Sequence, residues 1–325
     1  MTYYLKKLGH QELGSVTPSK PIPSRGRYIY ISKNENVLSF FPYLSKTVKN
    51  DSFLLPIVPL YLSRPAKIYC NYIYHNDAYH DGTRNEYRIY LNNALEDNLY
   101  LFSSNDIVIL KKEEIPVEEG IQSVFFLDLV KANDPLYNKY CDIITQSNIR
   151  GEHAIHEEQL SETDKKINSF LKNGNLSPVI DNTVAKKAQE SSNNLEDLFN
   201  AISFRDFVMT GYGGVCAITG NVIKYGAFNN LETAHIRPKS HGGSYIPNNG
   251  IPLSRDIHWA FDKGFFTLSD EFTIMVHEKV ENEYLTSLNG VKIKTPENDF
   301  FKPDKSNIKY HRENVYGLFL SSGRL

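Results

Sequence analysis

The sequence predicts an α+β protein built from more than one domain. Three observations support this prediction: the length of the chain, the separation of strand-like from helix-like segments, and the uneven distribution of charge. A chain of 325 residues is long enough for about two domains at roughly 150 residues each. The patterns divide it into an N-terminal β-barrel or sandwich at 1–112, a helical connector at 113–199 and a C-terminal domain of strands and helices at 200–325.

The N-terminal part has the pattern of short β-strands separated by Asn, Asp and Gly. These segments are rich in β-branched and aromatic residues, and several of them alternate. They lie at 27–32, 67–74, 86–91 and 106–110. The segment SKPIPSRGR at 19–27 carries two arginines among Pro, Ser and Gly, which predicts a basic loop or arm.

Charge separates the N-terminal part from the middle of the chain. Residues 1–70 carry ten Lys and Arg against three Asp and Glu, whereas residues 113–200 carry sixteen acids against eight bases. One end of the protein is therefore suited to face a polyanion such as DNA, and the middle is not. A solvated basic surface with no partner explains the charge equally well.

Composition excludes several classes of protein. Apolar residues make up 41% of the chain and charged residues 23%, which is typical of a folded chain. The N-terminus lacks an apolar core of signal-peptide length, and no stretch approaches about 18 uncharged apolar residues. We therefore expect a cytoplasmic protein without membrane segments. Three widely spaced cysteines exclude a disulfide framework and a paired-cysteine zinc site, so His, Asn and carboxylates would have to hold any metal.

The remaining elements are predicted from polarity and from turn residues. In the middle part, 157–174 predicts a helix that ends at Gly174, and a Ser/Asn/Lys-rich run up to Asn194 predicts a linker.

In the C-terminal part, residues 195–213 predict a helix because apolar residues recur at helical intervals. Residues 215–219 and 231–236 predict the two strands of a hairpin, and 254–264 predicts a short helix after a long loop. The predicted order is strand, strand, long loop, helix.

Four polar residues of this unit, His235, Asn249, His258 and Asp262, have spacings suited to metal-assisted hydrolysis. His258 and Asp262 are four residues apart, so a helix places both on one face, where they are able to share a divalent cation. His235 ends a strand, where its imidazole is able to take a proton from water. This arrangement suits phosphodiester hydrolysis, because a cation neutralises phosphate charge while the imidazole activates water. A helix with a surface His and Asp is the alternative.

Several short motifs occur in order: CAITG at 216–220, AHIRP at 234–238, NGIPL at 249–253, HWAFDKG at 258–264 and IKYHRENVYG at 308–317. Together they resemble the HNH endonucleases of the ββα-metal fold, in the subgroup that carries AHI. The resemblance implies a divalent metal, Mg²⁺ in preference to Mn²⁺. It also implies that His235 is the general base, that Asn249 fixes the loop and helps to orient the base, and that His258 and Asp262 are metal ligands.

The chain departs from many HNH sites at the residue before the general base. An acid or a histidine often stands there as a further metal ligand, whereas this chain has Ala234. Glu232 shares a strand face with Ala234, so it is a candidate ligand, directly or through water, with an exposed strand acid as the alternative. Trp259, the single tryptophan, is expected to anchor its helix in the core, with stacking on a DNA base as the alternative.

A nuclease module that contacts backbone phosphates needs another part of the chain to choose a sequence. The strings SFFPYLSK, EYRIYL and NDIVILKK resemble the β-barrel DNA-recognition domain of plant B-three transcription factors, relatives of which serve some restriction enzymes. The resemblance makes Arg25, Arg27, Lys46 and Lys49 candidate DNA contacts, with arginine suited to guanine and lysine to phosphate. For each of them an ordinary solvated cation is the alternative.

Together these observations predict a site-specific endonuclease that cleaves double-stranded DNA, in the manner of a type II restriction enzyme. One nuclease site per chain and two strands to cut predict a homodimer on a two-fold symmetric target. Two alternatives stay open. One is a defence nuclease that depends on a modified base or a bound ligand, and the other is a DNA-binding regulator without catalysis.

Overall fold

The chain folds into two compact units, Met1–Ala188 and Gln189–Leu325, here called unit 1 and unit 2. The structure is a computed structural model, and it describes residues 1–14, 27–79, 82–92, 94–96, 101–174, 176, 178–180, 195–225 and 228–321. None of the helices in these ranges has the length and apolar character needed to cross a membrane.

Unit 1 is dominated by one curled, half-barrel sheet, which has nine strands in the described residues. Its strands are β1 Tyr3–Lys7, β2 Tyr28–Ile31, β3 Ser52–Pro59, β4 Lys67–His75, β7 Glu86–Tyr90, β8 Ile107–Val117, β9 Gly120–Val130, β10 His153–His156 and β11 Pro178–Val179. The spatial order is β10-β1-β8-β9-β3-β4-β7-β2, with β11 beside β4. A small hairpin joins β5 Ala78–Tyr79 to β6 Gly82–Thr83.

The helices of unit 1 are short apart from two. They are α1 His10–Leu13, α2 Glu35–Leu38, α3 Tyr137–Gln146 and α4 Ser161–Asn173. Along β8, Val108 and Leu110 join one apolar cluster, while Ile107 and Ile109 join a second that includes residues of α3. Successive strand residues point to opposite faces, so the first four residues of β8 are buried on both sides and form a continuous apolar run.

The four strands predicted in the N-terminal part are confirmed as β2, β4, β7 and β8. The predicted barrel is not closed, because the edge strands β10 and β2 do not pair with each other within the described residues. Strand β3 is not predicted from its pattern because it carries Pro56 and Pro59, and proline normally argues against a central strand. The loop predicted at 19–27 lies almost entirely outside the described residues.

The predicted helical connector at 113–199 differs most from the structure. Strand β8 runs through the predicted boundary at 112, and β9 and β10 extend the same sheet. The helix predicted at 157–174 is confirmed as α4, whose Ile167 and Phe170 pack with Val58 and Phe126 of that sheet. Most of the middle part therefore belongs to unit 1. The linker predicted up to Asn194 falls largely outside the described residues.

Unit 2 contains the elements that carry the candidate site. After a 3₁₀ turn at Leu195–Leu198 come α5 Ala201–Gly211, β12 Lys224–Tyr225, β13 Phe228–Asn229, β14 Leu231–His235, β15 Gly250–Ser254, α6 Arg255–Asp262, β16 Phe266–Leu268, β17 Ile274–Val276, α7 Glu283–Ser287 and α8 Lys305–Asn314. The predicted helices at 195–213 and 254–264 correspond to α5 with its preceding turn and to α6.

The hairpin predicted in unit 2 is wrong in one of its two strands. Strand β14 pairs with β15, not with residues 215–219. The latter form a tight turn in which Gly220 donates to the Cys216 carbonyl at 2.8 Å and adopts a φ of 71°, a conformation that favours glycine. The observed order is therefore strand, long loop, strand, helix.

The packing of α6 decides which of its side chains face outward. Ile257, Ala260 and Phe261 are buried in the core of unit 2. Because side chains three and four residues apart share a helix face, the burial of this triplet leaves His258 and Asp262 on another side of the helix.

Candidate active site

The candidate site is built on the β14–β15 hairpin and on α6, which follows β15 without a loop. His235 is the last residue of β14 and lies opposite Gly250. A side chain at Gly250 would not fit, because an added Cβ would lie 2.5 Å from Val208 Cγ2 of α5. The close approach of α5 therefore holds this end of the hairpin in place.

Asn249 is completely buried and bonds to the loop that follows His235. Its Oδ1 accepts from the Arg237 backbone N–H at 2.8 Å, and its Nδ2 donates to the carbonyls of Arg237 and Ser244 at 3.1 and 3.0 Å. Its backbone carbonyl accepts from Ile236 N–H at 2.8 Å. This geometry fits the role implied for Asn249, because the loop is tied to one side chain directly beside His235.

The His235 ring is held between aromatic side chains. It stacks on Phe204 with ring centroids 4.4 Å apart, and Tyr245 meets it edge-on at 5.5 Å. Its Nε2 is buried and has no hydrogen-bond partner in the described part of the chain. Burial, together with the positive charge of Lys239, lowers the pKa of His235 to about 4. The imidazole is therefore neutral near pH 7 and has the lone pair that a general base requires.

His258 lies between two carboxylates. Its Nδ1 is 2.7 Å from Glu232 Oε2, and its Nε2 is 3.3 Å from Asp262 Oδ2. Glu232 is also paired with Arg255, whose Nε is 3.2 Å from Oε1. Burial works to lower the pKa of His258, but the two carboxylates outweigh it and the pKa is raised.

The donor atoms present fit a divalent cation at His258 and Asp262. Two ligands bonded to one ion at about 2.1 Å lie roughly 3 Å from each other, and Nε2 and Oδ2 are 3.3 Å apart. The position before the base contributes no ligand atom, because the side chain of Ala234 is a methyl group, which is buried in the core. No three His, Cys, Asp or Glu side chains group as a complete cage in the described ranges. A cation held by these two side chains would take its remaining ligands from water or from a phosphate.

Two cations follow His235 in the chain and are not singled out by the sequence patterns. The Lys239 ammonium lies 4.1 Å from the centre of the Tyr245 ring, and the Arg237 guanidinium lies 4.3 Å from that of Tyr310. Since Tyr245 also contacts His235, these cations form a basic rim beside the site. The signal that could have identified them is the motif AHIRPKS, in which they stand two and four residues after the base.

Trp259 does not anchor α6 in the core as expected, because 52% of it is exposed. It lies outside the buried triplet of the helix and packs against Phe265 with ring centroids 5.3 Å apart.

The candidate DNA contacts of unit 1 fall into three groups. Arg27 does not fit the prediction, because its guanidinium is buried in a two-bond ion pair with Glu96 and also donates to the carbonyls of Leu13 and Phe102. Lys46 and Lys49 are exposed on the segment before β3. Arg25 lies outside the described residues.

Comparison with known proteins identifies part of unit 2. Residues 216–269 match the profile of an HNH endonuclease family, so unit 2 contains an HNH endonuclease domain. Among solved structures, one described as a modification dependent TagI restriction endonuclease matches with 14% sequence identity and a TM-score of 0.28, covering 75% of this chain and 60% of that one. The chain thus spans 60% of the length of that enzyme. No curated protein matches the chain.

Proposed function

We propose that the protein is a site-specific endonuclease that cleaves double-stranded DNA, in the manner of a type II restriction enzyme. The HNH endonuclease domain at 216–269 sets the class of reaction as phosphodiester hydrolysis. The proposal depends above all on the unpartnered, buried Nε2 of His235. Its ring is close enough to His258 and Asp262 for their charges to act on its pKa.

In the proposed reaction, His235 is the general base. Its neutral ring accepts a proton from a water molecule, the water oxygen bonds to phosphorus, the bond from phosphorus to the leaving oxygen breaks, and the leaving oxygen takes a proton from solvent. Asn249 holds the loop beside the base, and Phe204 fixes the plane of the ring. A divalent cation held by His258 and Asp262, Mg²⁺ in preference to Mn²⁺, would neutralise charge on the phosphate and on the leaving oxygen.

The basic rim, Arg237 and Lys239, is suited to bind phosphates next to the scissile one. Each cation lies over a tyrosine ring, which limits the conformations that its side chain can adopt before DNA binds. These contacts favour the binding of DNA whatever its sequence, because phosphates carry no sequence information.

In this proposal, unit 1 recognises the DNA sequence. Lys46 and Lys49 remain the candidate contacts among the described residues, and their exposure leaves both side chains accessible to DNA. With one nuclease site per chain, cleavage of both strands is assigned to a homodimer. Analytical ultracentrifugation tests that assignment, and a monomer alone, both with and without target DNA, would remove it.

The proposal is tested by incubating the protein with unmethylated phage DNA and Mg²⁺ or Mn²⁺ and sequencing the fragment ends. We expect discrete fragments from the wild type and none from His235→Ala or Asp262→Asn. The matched control is His277→Ala, a histidine of unit 2 outside the site.

Other outcomes of this experiment identify the alternatives. A smear would indicate a nuclease without sequence preference. If phage DNA with modified bases is incubated in parallel, its cleavage without cleavage of the unmethylated DNA would indicate an enzyme that depends on base modification. DNA that is bound but intact under every condition would indicate a regulator without catalysis.

A further inference from the structure

We infer that Glu232 is a positioning residue that holds the His258 ring in the tautomer able to bind a metal ion, and that Glu232 is not itself a metal ligand. This inference rests on the proposed function, because it concerns the same metal site. It assigns to Glu232 a role that differs from the ligand role considered for it from the sequence.

The distances around His258 favour one of the two neutral tautomers of its ring. A neutral imidazole carries one proton on its two nitrogens. Glu232 Oε2 approaches Nδ1 to 2.7 Å, whereas Asp262 Oδ2 is 3.3 Å from Nε2. The shorter contact has the length of a strong, charge-assisted hydrogen bond, so the proton belongs on Nδ1. The lone pair of Nε2 then points toward Asp262.

The surroundings of Glu232 argue against direct metal binding. One carboxylate oxygen accepts from His258, and the other is paired with the Arg255 guanidinium at 3.2 Å. Its charge is therefore already matched by a cation. The two nitrogens of an imidazole point away from each other, so an ion bound at Nε2 lies across the ring from Glu232.

Strand register explains why a glutamate at this position reaches His258. Glu232 lies in β14 opposite Leu253, the residue before Ser254, and α6 begins at Arg255. The first turn of α6 thus starts beside Glu232, which brings Arg255 and His258 within reach of one carboxylate. Acceptors of this kind orient metal-binding histidines, and their loss costs roughly 10–100-fold in metal affinity.

The first test is the ¹⁵N NMR spectrum of the histidine rings in the intact, metal-free protein at about pH 9, well above the ordinary histidine pKa. His258→Gln assigns the His258 signals. We expect a protonated Nδ1 and an unprotonated Nε2 in the wild type and in Glu232→Gln, whose amide oxygen still accepts. In Glu232→Ala we expect the proton to shift toward Nε2. A wild-type ring protonated on Nε2, or an unchanged ring in Glu232→Ala, would overturn the inference.

The second test is calorimetric titration of the same proteins with Mn²⁺. We expect Glu232→Ala to weaken binding by about 10–100-fold, Glu232→Gln to weaken it much less, and Asp262→Asn to weaken it most. A loss in Glu232→Gln equal to that in Asp262→Asn would make Glu232 a ligand and overturn the inference. Glu271→Ala, an exposed acid of unit 2, is the matched control, and circular dichroism establishes that each variant is folded.

The two tests separate this inference from the proposed function. The ring spectrum is recorded without metal or DNA, so its result does not depend on catalysis. If the wild type binds no Mn²⁺ and leaves DNA intact, the proposed metal site fails. The tautomer of His258 in Glu232→Ala then still decides whether Glu232 positions the ring.

Discussion

Replacing Asn249 by alanine should destabilise unit 2 by about 3 kcal/mol. The side chain is 0% exposed and makes three hydrogen bonds to backbone groups of Arg237 and Ser244. A net contribution of about 1 kcal/mol for each bond gives this total. The substitution also leaves one N–H and two carbonyl groups without these partners, which adds to the cost wherever water does not replace them.

The assay is urea denaturation followed by tryptophan fluorescence. Trp259 is the only tryptophan in the chain, so its signal reports on unit 2 without interference from unit 1. The matched control is Asn248→Ala, which changes the neighbouring, partly exposed asparagine and should shift the free energy of unfolding by less than about 0.5 kcal/mol. If Asn249→Ala costs less than about 1 kcal/mol, or no more than the control, Asn249 does not hold the loop as argued.

Three further predictions concern other parts of the chain. The pKa of His235 is lowered to about 4, while that of the unfolded ring stays at about 6.5, so unit 2 should lose stability as pH falls from about 6.5 to about 4. Urea midpoints measured over this pH range should fall less in His235→Gln than in the wild type. An equal fall in both proteins would contradict the burial of the ring. Gly250→Ala should lower the thermal midpoint of unit 2, because the added Cβ lies 2.5 Å from Val208 Cγ2, and an unchanged midpoint would refute the close packing of α5. Arg27→Ala should destabilise unit 1 by about 3–5 kcal/mol, since it leaves the buried Glu96 without its cation. If thermal unfolding followed by circular dichroism shows a loss of stability below about 1 kcal/mol, Arg27 is exposed and not buried.

The strands of unit 1 that could be predicted from sequence are those with short segments rich in β-branched and aromatic residues, such as β4 and the first four residues of β8. Strand β3 escapes prediction because Pro56 interrupts its pattern, although its neighbours keep it in the sheet. The extent of the sheet could not be predicted either. The β8–β9 pairing of eleven residues on each strand depends on tertiary contacts and not on a change of composition at residue 112.

The candidate site was more accessible to sequence reasoning than the fold around it. The four-residue spacing of His258 and Asp262 placed both on one side of α6, because helical periodicity is local. The partner strand of β14 was not predictable in this way, since 215–219 and 250–254 are both short and apolar. The contact of Glu232 with His258 was also hidden, because it depends on that strand pairing.

The measurement that tests the central claim most directly is single-turnover cleavage of plasmid DNA with Mg²⁺ by the wild type and by His235→Ala. If His235 is the general base, the variant should cleave about 10²–10⁴-fold more slowly. Imidazole added to the buffer should restore part of the rate in proportion to its concentration, because it replaces the missing base. Cleavage by His235→Ala at a rate close to that of the wild type would contradict the claim.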